Sequence, residues 1–352
     1  MDRVRIGFVG AGAMGQCAHL KNYLLLPDCE VAAIAELRKG LREKVAAKYG
    51  VARTYGSHEE MLAAEKLDGI VASQQFSLHS TLIPELLKAG KPVFIEKPLA
   101  VTAEAGEKIV EAAKDSGTWV MVGYHKRSDP ATVYAKAEIE RLKTSGEIGA
   151  LRYVRITMPP GDWIAGGFDD LVRTDEKVPP LEAEARPADM DEAGYREYTA
   201  FVNYYIHQVN LMRHLLGEPY SVSYADAAGR LLAVRSASGV AGVIEMAPYS
   251  TSVDWQESAL AGFERGYVML ELPAPLAANR PGRVTVMKGS CKGKAPESIT
   301  PQLPWTSAMR RQAMNFTAAI KGEGKAPCSA EEALEDLKIA RAYIDLLAQN
   351  RR

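Results

Sequence analysis

The chain has 352 residues, more than one core usually organises, so two domains are expected. It is 47% hydrophobic and 25% charged, an ordinary globular composition, and its formal net charge of −1 gives no electrostatic case for nucleic acid or an anionic membrane. No apolar run is long enough to span a membrane, and the first strand begins by Val4, leaving no room for a signal peptide. Cys17, Cys29, Cys291 and Cys328 show no C-x-x-C spacing. They read as reduced thiols of a cytoplasmic protein, with no metal site.

Residues 3–9 form a short β-branched run suited to a buried parallel strand. Gly10-Ala11-Gly12-Ala13-Met14-Gly15 follows, a G-x-G-x-x-G loop, and then a helical pattern from Gln16 to Leu26. In a dinucleotide site Gly10 permits the tight turn, Gly12 the approach of a pyrophosphate, and Gly15 close packing of helix on strand. The N–H groups of Ala13, Met14 and their neighbours at the helix start would face the phosphates. A second strand, Cys29 to Ala35, ends in Glu36, which stands 21 residues past Gly15. That is where an acidic side chain grips the ribose hydroxyls of NAD.

Strands and helices then alternate. Helix 38–49, strand 67–72, helix 79–89, strand 92–95, helix 102–115 with Thr102 as N-cap, and strand 118–122 imply a parallel sheet with helices on both faces. Ligands of such sheets lie at the carboxyl ends of the strands. The residues there are Glu36, Ser73 to Phe76, Glu96-Lys97-Pro98, and Gly123 to Arg127. Lys97 would be a fixed positive charge with three donors, able to orient a substrate hydroxyl and stabilise developing alkoxide charge.

The loop Gly10–Gly15, the block Glu96-Lys97-Pro98-Leu99-Ala100 and the segment Val122-Gly123-Tyr124-His125-Lys126-Arg127 together resemble the glucose–fructose oxidoreductase / inositol dehydrogenase (Gfo/Idh/MocA) family. Ser145-Gly146-Glu147-Ile148-Gly149 extends the resemblance towards the second domain. It implies an α/β chain with an N-terminal Rossmann domain (1–124) and a C-terminal α+β domain (125–352) whose sheet is open and mostly antiparallel. It also implies NAD(P)-dependent chemistry on sugars, cyclitols or related polyols. Glu96 and Lys97 would then border the cofactor. The family's Thr-Pro-Asn is replaced by Ser73-Gln74-Gln75, with His79 still matching, so Ser73, Gln75 and His79 are expected at the cofactor. Arg127 matches the Gly-Tyr-x-x-Arg segment, and His125 stands where Asn is common, a candidate contact to this chain's own substrate.

Beyond it, helix 131–144 and strand 151–158 lead to a loop carrying Trp163, an aromatic that could stack on a sugar face. Residues 169–193, acidic and proline-containing, read as a long surface excursion, a lid or a subunit contact. In helix 194–216, Val202, Tyr205, Val209, Met212 and Leu216 recur at core spacing, while Asn203, His207, Asn210 and His214 form a second stripe of amide and imidazole groups. The family's Asp-x-x-x-His reads here as Asn203 and His207, beside the substrate. Tyr204, one turn before His207, resembles the Tyr-x-x-His pair of NAD-dependent glycosidases of this fold. Strands 222–228, 231–236, 239–247, 257–263, 267–272 and 283–288 suggest an antiparallel sheet, with one face free to pair subunits into a homo-oligomer. Helices 307–321 and 329–348 close the chain, the second packing back on the first domain.

The expected function is NAD-dependent hydride transfer from a secondary hydroxyl of a sugar, glycoside or cyclitol. His207 accepts the hydroxyl proton, Lys97 holds the oxygen, and Glu36 holds the adenosine ribose. The alternatives are an oxidoreductive glycosidase that recycles NAD and uses Tyr204 as base, and a silent NAD or sugar sensor.

Overall fold

A computed structural model describes residues 3–290, 293 and 295–351. Cys291 lies outside these residues; Cys17, Cys29 and Cys328 are buried. The chain divides into two compact units. Unit 1 takes the chain through Tyr124 together with Gly166–Asp191 and Met309–Leu337; unit 2 takes His125–Ala165, Glu192–Ala308 and the chain from Lys338.

Unit 1 is built on a parallel sheet of β1 (Val4–Val9), β2 (Cys29–Ala35), β3 (Thr54–Tyr55), β4 (Gly69–Ala72), β5 (Val93–Ile95) and β6 (Val120–Val122), in the order β3-β2-β1-β4-β5-β6. The order reverses between β1 and β4, which opens a crevice at their carboxyl ends. β4, β5 and β6 are buried along their whole length, as strands covered on both faces must be. The sheet is crossed by α1 (Lys21–Tyr23), α2 (Lys39–Tyr49), α3 (His58–Ala64), α4 (His79–Leu87) and α5 (Ala103–Asp115). Thr102 caps α5 as its residue type predicts, accepting from the Ala105 N–H at 3.2 Å. The first helical stretch departs from expectation. Gly15–Leu20 is a π-helix that runs into the short α1. β3 and α3 carry too few periodic residues to be seen in the sequence. An aromatic chain of Phe8, Tyr23, Phe94, Trp119 and Phe316 fills one side of the core by edge-to-face contacts, with centroids 5.3 to 6.4 Å apart.

Unit 2 begins with α6 (Pro130–Ser145), capped by the Asp129 carboxylate on the Ala131 N–H. Its sheet contains β7 (Leu151–Met158), β8 (Tyr220–Ala225), β9 (Leu231–Ser236), β10 (Ala241–Met246), β11 (Glu257–Phe263), β12 (Gly266–Leu272), β13 (Arg283–Lys288) and β14 (Glu297–Ile299). The order is β14-β13-β12-β11-β7-β10-β9-β8, with β7–β10 parallel and the other pairs antiparallel. Val154, Ile156 and Met158 are buried, while Tyr153, Arg155 and Thr157 between them are half-exposed on the open face. The long helix α7 (Glu192–Leu216) buries Val202, Val209, Met212 and Leu216, as its spacing requires. Met212 packs so closely on β10 that a Cβ at Gly242 would lie 2.9 Å from its sulfur. α8 (Ala308–Ile320) carries Phe316 into the core of unit 1; α9 (Ala330–Asn350) contributes residues to unit 1 as far as Leu337 and to unit 2 beyond it. Among the described residues no helix is long and apolar enough to cross a membrane.

Candidate active-site residues in each unit

At the crevice of unit 1 the chain leaves β1 through Gly10, whose φ of +91° is left-handed. A Cβ at Gly15 would lie 2.6 Å from the Gly10 carbonyl oxygen, so any larger residue would push helix from strand. At Gly12 a Cβ would find open space, its nearest neighbour Arg38 Nη2 at 4.0 Å. These two opposite environments are what a pyrophosphate loop needs: tight behind, empty in front. Beside the loop lies a cavity of about 350 Å³ whose wall includes Gly10, Glu36, Leu37, Arg38, Gln74 and Leu82. The residues present therefore fit the adenosine half of a dinucleotide.

The Glu36 carboxylate is already engaged. It accepts from the Ala11 N–H at 2.9 Å and from Arg38 Nε and Nη2 at 2.8 and 3.0 Å. Burial alone would raise this carboxyl, but the Arg38 fork and the backbone donors outweigh it and hold it below the usual range. Arg38 is thus neutralised by Glu36 and is not a free phosphate-binding cation.

Three of the residues expected at the cofactor, Gln75, His79 and Glu96, do not line this cavity. Gln75 is exposed, and its neighbour Gln74 lines the cavity while Ser73 does not; a loop residue's side is set by backbone turns that periodicity does not report. His79 is wholly buried, its Nδ1 3.1 Å from the carbonyl oxygens of both Pro98 and Leu99. It supports the Glu-Lys-Pro loop from beneath, and burial lowers its imidazole pKa. Glu96 turns inward as well, 2.5 Å from His19 Nε2. Its other oxygen accepts from the Lys97 N–H at 3.1 Å. Burial disfavours the Glu96 charge, but these donors prevail and the carboxyl titrates below its usual range. The carboxylate thus ties the backbone of Lys97 to the π-helix; the Lys97–Pro98 peptide is cis.

Unit 2 gathers a second set. The rings of His125 and His207 meet edge to face at 4.7 Å. Tyr204 and His207 are partly exposed and Asn203 is exposed, all on the stripe of α7 opposite its buried face. Burial pushes the Tyr204 phenol above its ordinary value, opposed by a hydrogen bond from the Gly161 backbone. Trp163, two residues on, sits half-buried in the loop after β7, which is held by the Asp162 N–H on the Asp254 carbonyl at 2.8 Å. Arg127, expected at the substrate, is buried, and its Nε donates to Asn210 at 2.8 Å. It braces α7 from within.

Sequence reasoning missed the group beneath these residues. Lys126 and Glu257 form a buried ion pair at 2.5 Å, and Gln208 donates to the other Glu257 oxygen at 2.7 Å. The only signal was an unbroken polar run, His125 to Asp129, in a segment that had to be buried. His214 completes the stripe; burial, then the charges of Arg127 and Lys136, pull its pKa down to about 3. A histidine that stays neutral when folded but protonates near its ordinary value of about 6.5 when unfolded withdraws stability as pH falls. Stability is therefore full above about pH 6.5 and declines below it, by at most about 1.4 kcal/mol per pH unit from this residue. His214→Gln is expected to flatten that decline in urea unfolding between about pH 7 and about pH 5; an unchanged slope would show that His214 is not its source.

Residues 4–124 match the model of an oxidoreductase family with an NAD-binding Rossmann fold, Gfo/Idh/MocA. The chain is similar to the inositol 2-dehydrogenase of Rhizobium meliloti (strain 1021), 26% identical over 360 residues that cover 99% of this chain and 98% of that one. It is also similar to the scyllo-inositol 2-dehydrogenase (NAD(+)) of Bacillus subtilis (strain 168), 26% identical over 258 residues, 69% of this chain and 67% of that one. Among solved structures, levoglucosan dehydrogenase in complex with NADH and levoglucosan shares the fold, with a TM-score of 0.73 at 18% identity over 99% of this chain and 98% of that one.

Proposed function

Because the chain belongs to the Gfo/Idh/MocA oxidoreductases and its first unit is an NAD-binding Rossmann domain, we propose that it oxidises a secondary hydroxyl of a cyclitol or sugar. One observation carries the reading furthest. Lys97 follows β5, and its backbone is held by Glu96, which is itself locked to His19. So much structure behind one partly exposed lysine suits a group whose position matters.

NAD, when bound, supplies the hydride acceptor. The Lys97 ammonium orients the substrate oxygen and stabilises the negative charge that grows on it. His207 accepts the hydroxyl proton, with His125 packed against its ring to limit its orientation. Asn203 and Trp163 hold neighbouring hydroxyls and a ring face. The half-exposed Tyr153, Leu260 and Met269 on the open face of the second sheet suit pairing with a second copy of the chain. The test is NADH formation with myo-inositol, scyllo-inositol and a panel of aldoses and glycosides; a panel with no turnover would remove the polyol reading.

The redox-neutral glycosidase is favoured by Asn203 in place of the family's aspartate and by Tyr204. Against it, a phenol raised above its ordinary value is a poor base at neutral pH.

The Glu36–Arg38 fork bears on the choice of cofactor. A 2′-phosphate would meet the Glu36 carboxylate and an arginine already neutralised by it. Calorimetry should show NAD bound more tightly than NADP. Glu36→Ala frees Arg38 and should weaken NAD about tenfold while strengthening NADP; tighter NADP binding by the unaltered protein would contradict this.

A further inference from the structure

The excursion 166–191 belongs to unit 1 and has no regular strand or helix from Gly166 to Asp191. It is nonetheless pinned along its length. Gln16 exchanges two hydrogen bonds with the Val172 backbone, at 3.0 and 3.1 Å. The Glu176 carboxylate accepts from the Gly40 and Leu41 N–H groups, at 3.0 and 2.9 Å, in the first turn of α2. The Glu184 carboxylate accepts from the Val101 and Thr102 N–H groups, at 3.1 and 2.8 Å, at the start of α5. Each carboxylate thus meets the positive end of a helix, where charge-assisted hydrogen bonds are strongest.

Between these anchors, Val178, Leu181 and Glu182 line the same cavity as Gly10, Glu36 and Leu37. Val178 is 50% exposed, Leu181 45% and Leu37 43%. Apolar side chains from the strap and from the loop after β2 thus converge on one hollow without filling it. A flat ring with two apolar faces would cover all three, and the adenine of a dinucleotide lies at this end of the crevice.

Resting on the NAD reading, we infer that residues 176–184 form a strap over the adenosine half of the cofactor, and that the anchors at Glu176 and Glu184 set how fast NADH leaves. The strap crosses the cavity between two fixed points, so the adenosine leaves only when an anchor lets go. Dissociation is then coupled to breaking hydrogen bonds that do not touch the ligand.

Stopped-flow displacement of bound NADH by excess NAD reads the dissociation rate directly. The double variant Glu176→Gln, Glu184→Gln, which weakens both anchors, should release NADH at least about tenfold faster than the unaltered protein. Leu181→Ser, which leaves both anchors in place, should also release it faster. Lys177 is exposed on the strap, and saturating NAD should slow tryptic cleavage after it. If the anchor variants do not fold, this protection in the unaltered protein decides alone. Equal release rates in all three proteins, or cleavage at Lys177 indifferent to NAD, would overturn the strap while leaving NAD binding intact. Failure of the unaltered protein to bind NADH would overturn the dinucleotide reading and the strap together.

Discussion

Lys97→Ala is expected to lower turnover of an accepted polyol by about a hundredfold to a thousandfold while leaving NAD affinity within about twofold. The reason is the division of labour in unit 1. The cavity wall that suits adenosine is made by Gly10, Glu36, Leu37 and Gln74, none of which depends on the Lys97 ammonium. The Lys97 backbone is held by Glu96, and that hydrogen bond survives the substitution because it uses the N–H and not the side chain. Alanine therefore removes the charge and leaves the backbone hydrogen bond in place. The loss should appear in kcat and kcat/KM together, the mark of an interaction made chiefly in the transition state. Near-normal turnover would reduce Lys97 to a structural residue.

His207→Ala is expected to cost about a hundredfold to ten-thousandfold in kcat/KM, since it removes the proton acceptor. It should also remove the acid limb of the pH–rate profile, an effect that loss of packing alone would not produce. His207 is partly exposed and lies outside the buried face of α7 formed by Val202, Val209 and Met212, so the variant should fold with little loss of stability. Tyr204→Phe is the control on the same helix. Acting only as a hydrogen-bonding group, it should cost about 0.5–1.5 kcal/mol, about tenfold or less in rate. A larger loss from Tyr204→Phe than from His207→Ala would exchange their roles.

The pattern of the fold was legible because it is local. Buried parallel strands read as apolar runs, and α7 showed its core face at 3.6-residue spacing from Val202 to Leu216. The loop at Gly10 to Gly15 was legible for a different reason: its glycines answer steric demands that a single chain segment states completely. What could not be read depends on partners far away in sequence. Glu96 looked like a cofactor ligand, yet its partner His19 lies 77 residues earlier and reaches it from a π-helix, a geometry no 3.6-residue template anticipates. Arg127, expected at the substrate, is buried and donates to Asn210, 83 residues on. The excursion at 166–191 gave no periodic signal because its order comes from carboxylates seated on the ends of other helices. Gln74 and Gln75 differ only in which way a loop turns.

Net oxidation of a polyol can be followed through NADH and products in one reaction. The protein is incubated with NAD and an accepted cyclitol or glycoside in deuterated water. NADH should accumulate in step with a ketone product, any glycosidic bond should stay intact, and recovered substrate should carry no solvent deuterium. Release of aglycone without net NADH, with deuterium at the carbon beside the transiently oxidised one, would contradict net oxidation.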